Sequence, residues 1–215
     1  LRNSDGGAWE FRNQDSRGRD TLAATPLDGS PPPAAILYTS ADPEDAQGLA
    51  ALEGAACLAV THSYTPVTGS GDTAHYLDSR QPRETVTWTV RDGRAIPAAR
   101  EWRVYTRFET DGIPALAVRT VRAASAASAF NDPANAVSLS VSHAGAENAD
   151  VPAELRNLPL REEREDGTTN LWFYAFGDYD SETHVFTEDM DGLCLRAMQA
   201  TTETNRLEVT YTDCE

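Results

Sequence analysis

Gly69-Ser70-Gly71-Asp72 sets a glycine-flanked serine beside an acid, with His75 close behind. A serine hydrolase needs a hydroxyl, a histidine to take its proton and an acid to orient that histidine. Ser70, His75 and Asp72 supply those three types and form the chain's weak catalytic alternative. The spacing is not the G-x-S-x-G of a nucleophile elbow, and Gly-Ser-Gly reads first as a flexible loop.

A second constellation lies in Gly177–Gly192, where Asp178, Asp180, Glu182, Glu188, Asp189 and Asp191 surround His184. Hard oxygen ligands at alternate positions suit Ca²⁺. Asp178, Asp180 and Glu182 have one-three-five spacing, and Asp189 falls at the twelfth position. Thr183 stands where a calcium loop needs Gly, and strand-like segments flank the run. A solvated acidic loop is therefore the first reading, with structural Ca²⁺ the one cofactor the sequence suggests.

The remaining chemistry is thin. His62, His75, His143 and His184 make none of the paired spacings that hold zinc, and Cys57, Cys194 and Cys214 form no C-x-x-C. A glycosidase needs only two carboxylates, but 34 acidic residues leave the pair unselected. Trp9, Trp88, Trp102 and Trp172 could stack on a sugar, although period-two positions in strands read first as core. All 18 basic residues are arginine. The missing lysine excludes Schiff-base, pyridoxal-phosphate, Ser-Lys and P-loop chemistry within this chain. Arginine without lysine, among many Ala, Asp and Glu residues, fits a GC-rich genome or salt adaptation.

A net charge of -16 argues against nucleic acid and against direct binding to anionic membranes. It suits solubility outside the cell and is compatible with cationic partners and divalent metals. Protein partners or self-assembly are expected of a structural or interaction module. Leu1 in place of Met predicts a processed or trimmed product, in which any signal peptide or N-terminal anchor would not be visible.

The elements that must position these residues are mostly strands. Residues 1–33 read as an irregular arm, with Trp9 and Phe11 as anchors and Pro31-Pro32-Pro33 extended. Residues 34–215 read as a single β-rich domain. Ala34–Thr39 is a short strand. One helix follows, started by Ser40 or Asp42, Pro43, Glu44 and Asp45, with Leu49, Leu52 and Ala56 as its buried stripe. Leu58–Tyr64, Glu84–Arg91, Glu101–Glu109, Ala115–Arg122, Ala136–His143 and Asn170–Phe176 read as strands. Asp92-Gly93 and Asp111-Gly112 are hairpin turns. Trp102, Val104 and Phe108 are expected on one face of their strand, opposite Arg103, Tyr105 and Arg107. Arg161–Gly167 reads as a mixed-charge loop.

At the C-terminus, Leu193–Ala200 and Leu207–Cys214 read as a hairpin centred on Thr204. That register sets Leu195 opposite Asp213, Ala197 opposite Tyr211 and Cys194 opposite Cys214. Opposed residues lie within disulfide reach, so a Cys194–Cys214 bond worth roughly 3 kcal/mol is expected. It implies a secreted, periplasmic or cell-surface location.

The expected class is mainly β with a minor helical element, an α+β arrangement being the alternative. The architecture is an antiparallel meander or sandwich-like sheet with one helix in the N-terminal half and a disulfide-stapled C-terminal hairpin. The expected function is a non-enzymatic structural or interaction module: a subunit of an extracellular assembly, a filament or pilus, or an adhesin-type ectodomain. A secreted hydrolase of carbohydrate or ester bonds and a β-barrel carrier of small ligands are the alternatives.

Overall fold

A computed structural model describes residues 2–4, 8–27, 49, 52, 54–73, 81–145, 148–189, 191–192, 194–202 and 206–212. The chain is mainly β; among the described residues it is an antiparallel meander of thirteen strands with a short 3-10 turn at Ala153–Leu155. It forms two compact units. Unit 1 is Leu1–Val104 with Thr120–Ala136, and unit 2 is Tyr105–Arg119 with Val137–Glu215.

Unit 1 carries β1 (Arg2–Ser4), β2 (Ala8–Gln14), β3 (Asp20–Pro26), β4 (Cys57–Ser63), β5 (Glu84–Arg91) and the first part of β6 (Arg94–Thr110), each beside the next. Three strands thus occupy the stretch expected to be irregular. Its apolar residues are few, but Phe11, Leu22 and Ala24 recur at strand spacing and all are buried. The turn between β2 and β3 is made by polar groups. The Asp15 carboxylate accepts from the backbone N–H of Arg17 and Arg19, and Gly18 adopts a φ of 73° that suits glycine.

Those three apolar residues join Cys57, Ala59 and Val90 in a core closed by Leu52 and Ala55. The expected strand Ala34–Thr39, the helix start at Ser40–Asp45, Pro31–Pro33 and the side chain of Trp9 lie outside the described residues. In the described part of the expected helix, Leu52 N–H donates to Leu49 and Ala55 N–H to Leu52. Leu49 is itself α-helical, and these two bonds have 3-10 spacing. Leu52 is 0% exposed, a burial worth about 1.5–3 kcal/mol. Ala55, rather than Ala56, completes the stripe.

Strand β5 spans Glu84–Arg91 as its period-two pattern predicts. Asp92 and Gly93, at φ 51° and 71°, join Arg91 to Arg94 in a two-residue hairpin. Asp111 and Gly112, at 53° and 76°, repeat the device. Both central residues have positive φ, the type I′ turn that matches strand twist. In β6, Trp102 and Val104 are buried as expected. Tyr105, on the opposite parity, is buried too and Phe108 is exposed, so burial along β6 does not follow a single face.

Unit 2 holds most of β7 (Ile113–Arg122), then β8 (Ala136–His143), β9 (Pro159–Glu163), β10 (Thr169–Asp180), β11 (Val185–Glu188), β12 (Cys194–Thr201) and β13 (Arg206–Thr212). The strand order is β7-β8-β9-β10-β12-β13, with β11 beside β10. The expected loop Arg161–Gly167 is half strand. Leu160 extends β9 into it, and the turn begins only at Arg164, where Gly167 N–H donates to the Arg164 carbonyl. Val151 and Leu155 cover one side of this sheet, packing with Ala144, Leu195, Tyr174 and Phe176.

The C-terminal hairpin is slipped by one residue from expectation. Leu195 faces Thr212, Ala197 faces Thr210 and Met198 faces Val209. A slip costs little here because β12 has apolar residues at both parities, Leu195 and Ala197 in one set and Met198 and Ala200 in the other. The slip removes the register argument that set Cys214 opposite Cys194. Cys194 is itself disulfide-bonded, and Cys214 lies outside the described residues. Cys57 is a free, buried thiol whose pKa burial raises.

Candidate functional site

Ser70 and Asp72 lie on the loop after β4. Ser70 N–H donates to the Val67 carbonyl, and Asp72 N–H donates to Ser70 Oγ. The Asp72 carboxylate turns inward onto Arg83, with Oδ2 2.8 Å from Nε. Both side chains are almost wholly buried, at 2% and 3% exposed. Arg83 is fastened on every side. Its N–H donates to the Ser63 carbonyl, its carbonyl accepts from Arg103 N–H, and its guanidinium donates to the Gln81 carbonyl. Asp72 is therefore half of a buried ion pair, and Ser70 supports the turn that delivers it. His75 lies outside the described residues. The structure brings Ser70 and Asp72 together as architecture, and Arg83 is the residue that sequence reasoning missed. A charged residue directly after a proline, entering a strand, was its only signal.

The calcium candidates do not converge. Asp178 and Asp180 end β10, Glu182 lies in the turn and Asp189 follows β11. The Asp180 carboxylate accepts from the N–H groups of Glu182 and Thr183, which holds its carboxyl below the usual range. Asp189 accepts from Asp191 N–H. These oxygens close turns, and among the described residues no group of three His, Cys, Asp or Glu could hold a metal ion.

The tryptophans with described surroundings serve packing. Trp88 packs against the unit 1 core and donates to Thr61 Oγ1. Trp102 is buried, donates to Glu84 Oε1 and meets Phe130 edge-on. Arginine–carboxylate pairs are local: Arg19 with Asp15, Arg12 with Asp20, Arg103 with Glu101, Arg161 with Glu163 and Arg196 with Glu188. Exposed pairs of this kind contribute little each.

Two histidines are set to respond to acid. His143 is buried at the end of β8, its ring 6.0 Å from that of Tyr174, and Nδ1 has no hydrogen-bond partner among the described residues. Burial pushes its pKa down. His62, with Nδ1 3.1 Å from Thr85 Oγ1, is pushed down by burial and by Arg103, against the pull of Asp20. Tyr174 donates to the Pro159 carbonyl and is raised by burial to about 12. A folded-state pKa below the unfolded value means that the unfolded chain binds more protons. The stability from the neutral rings is full above the unfolded histidine value of about 6.5 and is lost as pH falls below it. The melting temperature is expected to drop between pH 7 and pH 5, and His143→Phe should flatten that drop. A melting temperature independent of pH across this interval would contradict the assignment.

A last feature is a sheet face rather than a cluster. On β10, Leu171 and Phe173 are exposed, as is Val137 on β8. The run Asn170–Phe176 is apolar at both parities, so one set turns to the core while the other faces outward. No helix among the described residues is long and apolar enough to cross a membrane. Compared with protein-family models, curated proteins and solved structures, the chain matches none.

Proposed function

We propose that this chain is a non-enzymatic structural or interaction module that acts outside the cytoplasm, as a secreted, periplasmic or cell-surface subunit of a protein assembly. The observation that supports this reading most is the outward face of unit 2, where Phe173 is 49% exposed at the centre of a sheet. Large apolar groups grouped on one exposed face mark interaction surfaces. The chemistry-bearing residues add support. Asp72 is taken by Arg83, Ser70 by the turn, and Asp180 and Asp189 by backbone N–H groups.

Chromogenic ester and glycoside substrates test the reading. No turnover above that of a Ser70→Ala variant is expected, whereas turnover that Ser70→Ala abolishes would assign a hydrolase. The oxidising location carries its own test. Alkylation of the denatured chain should label Cys57 without reductant, and Cys194 and Cys214 only after reduction. Three labels without reductant would remove the case for that location.

A further inference from the structure

We propose that the exposed face of the unit 2 sheet is an interface between two copies of this chain. The proposal deepens the assembly reading above and rests on it.

Register defines the face. Leu171 of β10 lies opposite Arg161 of β9 on one side and Ala200 of β12 on the other, and Phe173 lies opposite Met198. Arg161 in turn faces Val141, which is buried, and Glu163 faces the half-buried Leu139, so alternation along β8 puts Val137, at the exposed end of that strand, on the same face. Val137 is 47% exposed and Phe173 49%. The other side of β10 is occupied, since Tyr174 and Phe176 pack with Val151 and Leu155. One side of the strand is therefore covered within the unit, and the other presents apolar side chains to solvent.

Charge selects the occupant. At -16, the chain repels its own copy over most approaches. This face is different, because its carboxylates are each paired with an arginine of the same face. Arg161 binds Glu163, and Arg196 binds Glu188 while stacking on Phe186. The patch is therefore neutral where the chain as a whole is strongly negative. A two-fold contact sets a patch against itself. Leu171 and Phe173 then meet their own counterparts, and the Arg161–Glu163 row meets its reversed copy, so that each guanidinium faces a carboxylate. A basic partner would be drawn to the uncompensated acids elsewhere rather than to a neutral apolar face.

Light scattering and sedimentation equilibrium on the full chain, up to high micromolar concentration, test the proposal. The wild type is expected to form a dimer. Phe173→Glu should weaken it roughly 30-fold or more, as losing a central anchor does. Val137→Glu, on the same face, is a second variant should Phe173→Glu fail to fold by circular dichroism. Ile96→Glu, at an exposed apolar position of unit 1 (59%), should leave the dimer intact. A wild type that stays monomeric throughout overturns the proposal and leaves the face to some other occupant. A dimer that both folded variants retain overturns it equally. The hydrolase assays judge the module reading separately: a silent monomer sinks the interface alone, and Ser70-dependent turnover sinks the module reading whatever the oligomeric state.

Discussion

An Arg83→Ala variant is expected to lose about 3–5 kcal/mol of stability, the cost of leaving a buried charge without its partner. Asp72 sits at 2% exposure with its carboxylate against the guanidinium, so removing Arg83 strands an anion where water does not reach. Asp72→Ala should be comparably severe, since it strands the guanidinium. Chemical denaturation of each variant gives the number. Replacing both residues by apolar ones of similar volume, Asp72→Leu with Arg83→Met, should recover much of the loss, because a buried pair contributes little net stability over a well-packed apolar substitute. A loss below about 1 kcal/mol for either single variant would mean the pair behaves as a surface pair, and the burial described here would be wrong.

The second large effect is expected at Gly177. A methyl group there would sit 2.2 Å from the Thr187 carbonyl oxygen and 2.6 Å from the Phe186 ring. Gly177 lies on β10 opposite Glu188 of β11 and Cys194 of β12. The Phe186 ring occupies the space a side chain would take, and Arg196 stacks on that ring. An aromatic lying over a cross-strand glycine is a known means of fixing sheet register. Gly192 closes the arrangement, because a methyl there would come within 2.3 Å of the Gly177 backbone. Gly177→Ala should therefore cost about 3 kcal/mol, the upper end of overpacking effects. Gly112→Ala provides the comparison. Its methyl meets nothing within 4 Å, but φ is 76°, so only the conformational cost of about 1 kcal/mol applies. Equal losses at the two sites would show that Gly177 is not sterically confined.

What could be read from the sequence follows from what is local. Strand β5 and its Asp92-Gly93 turn are legible because alternation and turn chemistry act within a few residues of each other. β2 and β3 were not, since their turn is held by one carboxylate, Asp15, accepting from two backbone N–H groups in a run of polar residues. The hairpin register failed for a different reason. β12 is apolar at both parities, so the pattern allows two pairings and the choice depends on neighbours such as β10. Of the candidate site, Ser70 and Asp72 were picked out, but their role depended on Arg83, a partner that no spacing rule joins to Asp72. Leu171 and Phe173 were legible as apolar and not as exposed, because nothing in Asn170–Phe176 says which parity finds a cover.

The Asp72–Arg83 pair also fixes two points of the chain at contact distance, whatever lies between them. A segment tied at its base in this way has already met the entropic cost of closure. Lengthening it adds only about 0.6 kcal/mol for each doubling. The buried guanidinium and carboxylate therefore clamp the loop after β4 to the entry of β5 through side chains rather than through backbone pairing.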